Sequence, residues 1–160
     1  MDSQGFVRID YGYFLSIKGE EIMKLKRSTE EAICILLLLA KKQKFGPVKS
    51  YRISEELNVS DSYLKKIMRK LVLAEIVTSS ARKGGGFRLS KSLDEIFLLD
   101  VYYAIEGKES FVQSQNLAEQ IFSSPEEAQK VAKHLAAIFG ESEAVFLGKL
   151  AAYPLSDLIE

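Results

Sequence analysis

The chain contains 160 residues, and its 47% of hydrophobic and 10% of aromatic side chains can build an ordinary core. This composition excludes wholesale disorder, and the length favours one domain with an appended helical arm. The single cysteine, Cys34, excludes an intrachain disulfide, and we expect a buried thiol without redox or metal-binding role. The eight-residue apolar run 33–40 is too short for a membrane span, which needs roughly 20 residues. With no signal-peptide pattern, we expect a cytoplasmic protein that does not bind membranes.

Opposite charges are separated along the chain, although the formal net charge is zero. Residues 24–91 carry 16 Lys and Arg against 6 Asp and Glu, a net charge of +10. Residues 92–160 carry 4 against 12, a net charge of −8. A basic block beside an acidic one is typical of a polyanion-binding module joined to another unit. The alternative is chance clustering of charges on solvated helix faces.

Residues 1–22 lack the periodicity of the rest of the chain. A second candidate start, Met23-Lys24-Leu25, follows directly, and residues 18–22 could be a translated purine-rich ribosome-binding site. We therefore interpret 1–22 as an N-terminal extension that arises from a mis-assigned start codon. The alternative is a real arm that packs or binds.

Two helices are predicted before the most basic stretch. The sequence from Ser28 to Glu31 is typical of a capping box, and the apolar run that follows predicts a helix buried on every side. Phe45-Gly46-Pro47 ends this helix. A short second helix is predicted over residues 51–57, and Asn58-Val59-Ser60 forms the turn after it.

The helix predicted over residues 60–73 has two chemically opposite faces. Ser60 and Asp61 form its N-cap, and Leu64, Ile67, Met68 and Leu71 gather on one side. The other side carries Ser62, Lys65, Lys66, Arg69 and Lys70. An apolar face that docks on a core and a cationic face opposite it are what a helix needs to lie in the DNA major groove.

A β-hairpin with a basic tip is predicted next. Residues 76–79 and 87–89 are β-prone, and Arg82, Lys83 and three glycines lie between them. This arrangement predicts a wing. A nucleotide phosphate cradle is the alternative, but such loops lead into a helix, whereas this one leads into a strand.

The C-terminal half predicts helices over residues 94–106 and 114–122, and then a long helix from Ser124-Pro125. The long helix carries one apolar stripe, formed by Val131, Leu135, Ile138, Phe139, Phe146 and Leu150. At about 40 Å it exceeds what a small domain covers, so we expect the stripe to pack on a second copy in a homodimer. The alternative is that it folds back on its own domain.

Several motifs together resemble the Rrf2 family of bacterial winged helix-turn-helix regulators. They are Met23-Lys24-Leu25, Ser60-x-x-Tyr63-Leu64, Gly84-Gly85-Gly86-Phe87-Arg88-Leu89, Ile96-x-x-x-Asp100-Val101-x-x-Ala104-Ile105-Glu106-Gly107, Ala144-Val145 and Leu155-Ser156-Asp157-Leu158. The resemblance implies a dimeric transcription factor in which Ser62, Tyr63 and Lys65 face bases and backbone while the wing reaches the minor groove. Many relatives carry Arg-Gly-Pro before the triple glycine, whereas this chain has Ala81-Arg82-Lys83. Because the basic residue is shifted by one position, the minor-groove contact of the relatives is not assigned to a residue of this chain.

A second departure concerns the cofactor. Well-known members hold an iron–sulfur cluster with three cysteines after the Glu-Gly motif, whereas residues 108–125 contain none. We therefore predict no cluster and no other cofactor, and we interpret His134 as structural or exposed. The effector is then a small molecule, a partner protein or nothing.

These observations predict a mainly α fold with a β-hairpin wing: a winged helix-turn-helix domain over 23–92 and a helical dimerisation and sensing region over 93–160. The expected function is a sequence-specific transcriptional regulator, more specifically a repressor, that binds double-stranded DNA as a homodimer. The DNA-binding residues we assign are Ser62, Tyr63, Lys65, Lys66, Arg69, Lys70, Arg82 and Lys83. The alternative is a winged-helix module that docks a partner protein through the acidic half. An enzyme is disfavoured, because His134 has no companion nucleophile.

Overall fold

The computed structural model describes residues 26–110 and 117–159, so the extension 1–22 lies outside the described residues. The helices are α1 (Arg27–Lys42), α2 (Ser50–Leu57), α3 (Asp61–Leu73), α4 (Leu98–Glu106), α5 (Ala118–Ile121) and α6 (Pro125–Ala151). Two strands, β1 (Val77–Ser79) and β2 (Phe87–Leu89), form a hairpin between α3 and α4. Short 3₁₀ turns lie at Gln43–Phe45, Leu93–Glu95 and Leu155–Leu158. The prediction of a mainly α fold with a small hairpin is confirmed.

Helix α1 buries one stripe rather than its whole circumference. Ala32, Ile35, Leu36 and Leu39, spaced by three or four residues, are completely buried. Cys34 points away from this stripe and is exposed, so the prediction of a buried thiol is wrong. The predicted capping box is also not formed: α1 begins one residue earlier, and no side chain caps it. Thr29 instead donates a hydrogen bond to Glu106 Oε1 at 2.5 Å.

Helices α2 and α3 form the predicted helix-turn-helix. Asn58 ends α2 in the left-handed conformation, with φ of 50°, which asparagine tolerates better than most residues. Ser60 then caps α3, because its Oγ accepts a hydrogen bond from the Tyr63 amide at 3.3 Å. The apolar face of α3 is buried as predicted, through Leu64, Ile67, Met68 and Leu71.

The wing is anchored to the segment between α1 and α2. Strands β1 and β2 are antiparallel, with Val77 opposite Leu89 and Ser79 opposite Phe87. Val48 extends this ladder, since it exchanges two backbone hydrogen bonds with Phe87 at 2.8 and 2.9 Å. A Cβ at Gly86 would lie 2.5 Å from the Val48 carbonyl oxygen, so this approach requires glycine.

One hydrophobic core includes side chains from both proposed domains. Ile96, Val101, Ile105 and Leu155 belong to the same cluster as the buried residues of α1 and α3. The segment after α6 returns to the start of α4, where Leu155 N–H donates to the Ile96 carbonyl at 2.8 Å. Helix α6 is one continuous helix and packs against α4 near Tyr102 and Phe146, whose rings meet edge to face at 5.5 Å. Among the described residues, no helix has the length and apolarity needed to cross a membrane.

Candidate nucleic-acid interface

The outward face of α3 brings together four of the predicted DNA-binding residues. Ser62, Lys65, Lys66 and Arg69 are spaced by three, four and seven positions and are all exposed. Lys65 forms an ion pair with Asp61 one turn earlier, with 2.6 Å between Nζ and Oδ2. Because both side chains are about half exposed or more, this pair is weak and does not prevent Lys65 from binding another anion.

Tyr63 lies on the flank of α3 rather than on its outward face. Its ring is half-buried against the core, and its hydroxyl donates to Glu31 Oε2 at 2.5 Å. This hydrogen bond and the partial burial raise the pKa of the Tyr63 phenol above its ordinary value. In this structure Tyr63 therefore fixes α3 against α1 and does not join the outward cationic group.

Lys70 also stands apart from the other cations. It is seven residues after Tyr63, two helical turns on, and thus lies on the same flank. Its Nζ donates to the Ile105 carbonyl at 2.6 Å, at the C-terminal end of α4 where the helix dipole favours a cation. The helical wheel places Lys70 at the edge of the cationic face, and a tertiary contact turns it toward the protein.

The tip of the wing exposes Arg82 and Lys83, as predicted. The tip is closed by a 2.6 Å hydrogen bond from Gly85 N–H to the Arg82 carbonyl. Arg88, which is not among the predicted DNA-binding residues, is also exposed, in the middle of β2 opposite Thr78. The alternation of Phe87, Arg88 and Leu89 was the signal that could have found it, because alternate strand residues point to opposite faces.

Metal-binding geometry is absent from the part of the chain that the structure describes, where no three His, Cys, Asp or Glu residues are placed to hold an ion. His134 is exposed on α6. The whole sequence contains one cysteine, and it lies on α1. These residues do not fit an iron–sulfur cluster held by three thiolates.

A helix-turn-helix, a hairpin wing and a cationic outward helix define the class of winged helix-turn-helix regulators. The family described as "Rrf2: Iron-dependent Transcriptional regulator" matches residues 25–160. The chain therefore belongs to the Rrf2 family, which is a family of transcriptional regulators and not of enzymes.

Named relatives agree with this membership. The chain is 44% identical over 100 residues to the Bacillus subtilis protein named "Putative HTH-type transcriptional regulator YwgB". That match covers 62% of this chain and 64% of YwgB, so it spans slightly less than two thirds of the relative's length. "Protein rrf2" of Nitratidesulfovibrio vulgaris is 29% identical over 137 residues, which are 86% of this chain and 87% of that protein.

The fold is shared with solved structures. The global cysteine regulator CymR of B. subtilis superposes with a TM-score of 0.63, covering 86% of this chain and 96% of CymR. At 24% identity this likeness shows the fold alone.

Proposed function

We propose that this protein is a sequence-specific DNA-binding transcriptional repressor that acts as a homodimer without an iron–sulfur cluster. The observation that carries the proposal is the outward face of α3, where Ser62, Lys65, Lys66 and Arg69 are exposed together. Membership of a family of transcriptional regulators supports it.

Helix α3 enters the major groove of double-stranded DNA with this face. Lys66 and Arg69 are long, exposed cations that reach phosphates or the acceptor edge of guanine. Ser62 lies in the first turn of α3, the part of a recognition helix that contacts bases. The wing follows the adjacent minor groove, where Arg82, Lys83 and Arg88 neutralise phosphates.

A homodimer covers the exposed stripe of α6. Leu135, Ile138 and Phe139 are 46%, 47% and 53% exposed, whereas Phe146 already packs on Tyr102 of α4. The 27-residue helix extends about 40 Å. A second copy is the proposed occupant, because a two-fold pair of these helices buries both stripes and sets two α3 helices on half-sites about 34 Å apart.

The absence of family cysteines after Gly107 supports a regulator without a cluster, which responds to a small molecule, to a partner protein or to no effector. Repression requires only that the dimer occupy its operator and exclude polymerase. Repression by occupying the operator does not require a further surface for activating transcription.

Fluorescence anisotropy tests the DNA-binding function. A duplex from the region upstream of the protein's own gene is compared with a scrambled duplex of equal composition over a salt series. Tighter binding to the native duplex, with both affinities falling steeply in salt, is the expected result. No binding at low salt would overturn the proposal and favour a protein partner that docks on the acidic half of the chain.

A further inference from the structure

A second basic surface lies at the turn between α1 and α2, outside the residues assigned above. Five cations occur within twelve residues, at positions 41, 42, 44, 49 and 52. They line a cleft of about 570 Å³ that also contains Phe45 and Tyr51. Lys42 forms an ion pair with Glu56. Lys44, Lys49 and Arg52 form no salt bridge with any carboxylate of the described residues 26–110 and 117–159.

Two aromatic side chains hold cations of this surface in place. Lys44 Nζ lies 5.1 Å from the centre of the Phe45 ring, a cation–π distance. The Tyr51 hydroxyl accepts a hydrogen bond from Arg52 Nε at 3.4 Å. Phe45 is 85% and Tyr51 is 53% exposed, so both contacts lie at the surface. Lys44 and Arg52 are therefore partly positioned by neutral groups and remain accessible to an anion.

The backbone joins this surface to the wing. Val48 pairs with Phe87 of β2 and is buried. Because successive residues of an extended strand point to opposite faces, the side chain of the next residue, Lys49, lies on the face opposite that of Val48. Arg88 follows Phe87 and is exposed. The basic surface of the turn is thus continuous with the base of the wing, which the proposed function places on DNA.

We propose that Lys44, Lys49 and Arg52 bind DNA backbone phosphates beside the segment that α3 reads. This inference rests on the proposed function and extends its footprint. A polyanion of regular charge spacing complements the exposed Lys44 and Arg52 and the partly buried Lys49 next to the wing. Contacts of this kind position the protein on the duplex and do not depend on the base sequence.

The test compares the double variant Lys49→Ala/Arg52→Ala with the wild-type chain by anisotropy on the native and scrambled duplexes. The slope of log affinity against log salt should fall in magnitude by about two, since each lost phosphate contact removes about 0.9. Affinity should fall by the same factor on both duplexes, leaving the specificity ratio unchanged. The charge-retaining variant Lys49→Arg/Arg52→Lys should keep the wild-type slope, which assigns the change to charge, and a wild-type circular dichroism spectrum of the alanine variant rules out misfolding as the cause.

A matched control removes two cations elsewhere. Lys130 and Lys133 are exposed on α6, and Lys130→Ala/Lys133→Ala should leave the slope unchanged. A wild-type slope in Lys49→Ala/Arg52→Ala, together with a reduced slope in Lys66→Ala/Arg69→Ala, would overturn the inference and leave the proposed function intact. Failure of the wild-type chain to bind either duplex at low salt would overturn both the inference and the proposed function.

Discussion

At the scale of single residues, the contact between Lys70 and the end of α4 separates two roles that cations can have on one helix. Lys66 is exposed on the outward face, whereas Lys70 donates to the Ile105 carbonyl. We predict that Lys66→Ala reduces the salt slope of DNA binding by about 0.9 and leaves thermal stability unchanged. Lys70→Ala should instead keep the slope and lower the unfolding free energy by about 1 kcal/mol. Anisotropy and denaturant unfolding of the two variants, side by side, decide between these roles; a reduced slope in Lys70→Ala would assign it to DNA.

Glu106 ties the start of α1 to the end of α4 and predicts a pH effect. Its carboxylate accepts from Thr29 Oγ1 and from the backbone N–H of Lys26, and it pairs with Lys26 Nζ at 2.7 Å. Burial pushes the pKa of Glu106 up, but these partners together hold it below its ordinary value. A lowered pKa in the folded state stabilises the protein above the unfolded pKa near 4.5, and this stabilisation disappears as the pH falls below that value.

The variant Glu106→Gln tests this linkage. At pH 7 it should melt a few degrees below the wild-type chain, because a charged acceptor is lost. The difference should shrink as the pH of the measurement is lowered step by step below 4.5, because the wild-type carboxyl takes up a proton over that range. Glu109→Gln, at an exposed position three residues on, is the control and should melt like the wild type at both pH values. A difference that stays constant with pH would refute the assignment.

At the scale of elements, a close backbone approach joins the wing to the segment before α2. A Cβ at Gly86 would collide with the Val48 carbonyl, whereas a Cβ at Gly140 of α6 meets nothing within 4 Å. We predict that Gly86→Ala breaks the pairing of Val48 with Phe87, destabilises the protein by about 2 kcal/mol and weakens DNA binding. Gly140→Ala should stabilise the chain by up to about 1 kcal/mol, because alanine is the better helix former. Chemical denaturation checks both, and equal stabilities would contradict the role of Gly86.

Local sequence patterns predicted helix α3 and the hairpin correctly, because the burial of their side chains follows from one face of each element. The N-cap at Ser60, the apolar face from Leu64 to Leu71 and the hairpin followed from spacing and turn chemistry. The same patterns failed where a distant segment decides the outcome. The hydroxyl of Tyr63 finds Glu31, and Cys34 is left outside because the partners of α1 cover only one side of that helix. Such contacts depend on tertiary placement, which spacing along one helix does not encode.

At the scale of the whole molecule, we expect the separation of charge to orient the protein on DNA. The basic residues 24–91 contain α3, the wing and the turn between α1 and α2. The acidic residues 92–160 contain α6 and carry a net charge of −8. Phosphates attract the first surface and repel the second, so the long helices are directed away from the duplex. In the proposed dimer, this orientation would leave the stripe of α6 available for the second copy while both α3 helices face DNA.

The dimer prediction follows from that arrangement. Ile138 is 47% exposed within the stripe of α6, and an aspartate at this position would place a charge in the proposed interface. We predict that Ile138→Asp shifts the protein from dimer to monomer in sedimentation velocity. Its affinity for a two-half-site operator should fall by about 10² or more, because the second half-site no longer benefits from the high effective concentration that the dimer provides.

The neighbouring residue Ala137 supplies the matched control. It is exposed on the side of α6 opposite the stripe, so Ala137→Asp introduces the same side chain into the same turn, with a loss of helix propensity at least as large as that of Ile138→Asp. This variant should sediment as the wild-type dimer and bind the operator normally. If Ile138→Asp also remains dimeric, the stripe packs elsewhere and the half-sites must be joined through another surface. If both variants become monomeric, loss of helix α6 itself rather than of its apolar face is the cause, and the circular dichroism of the two would show it.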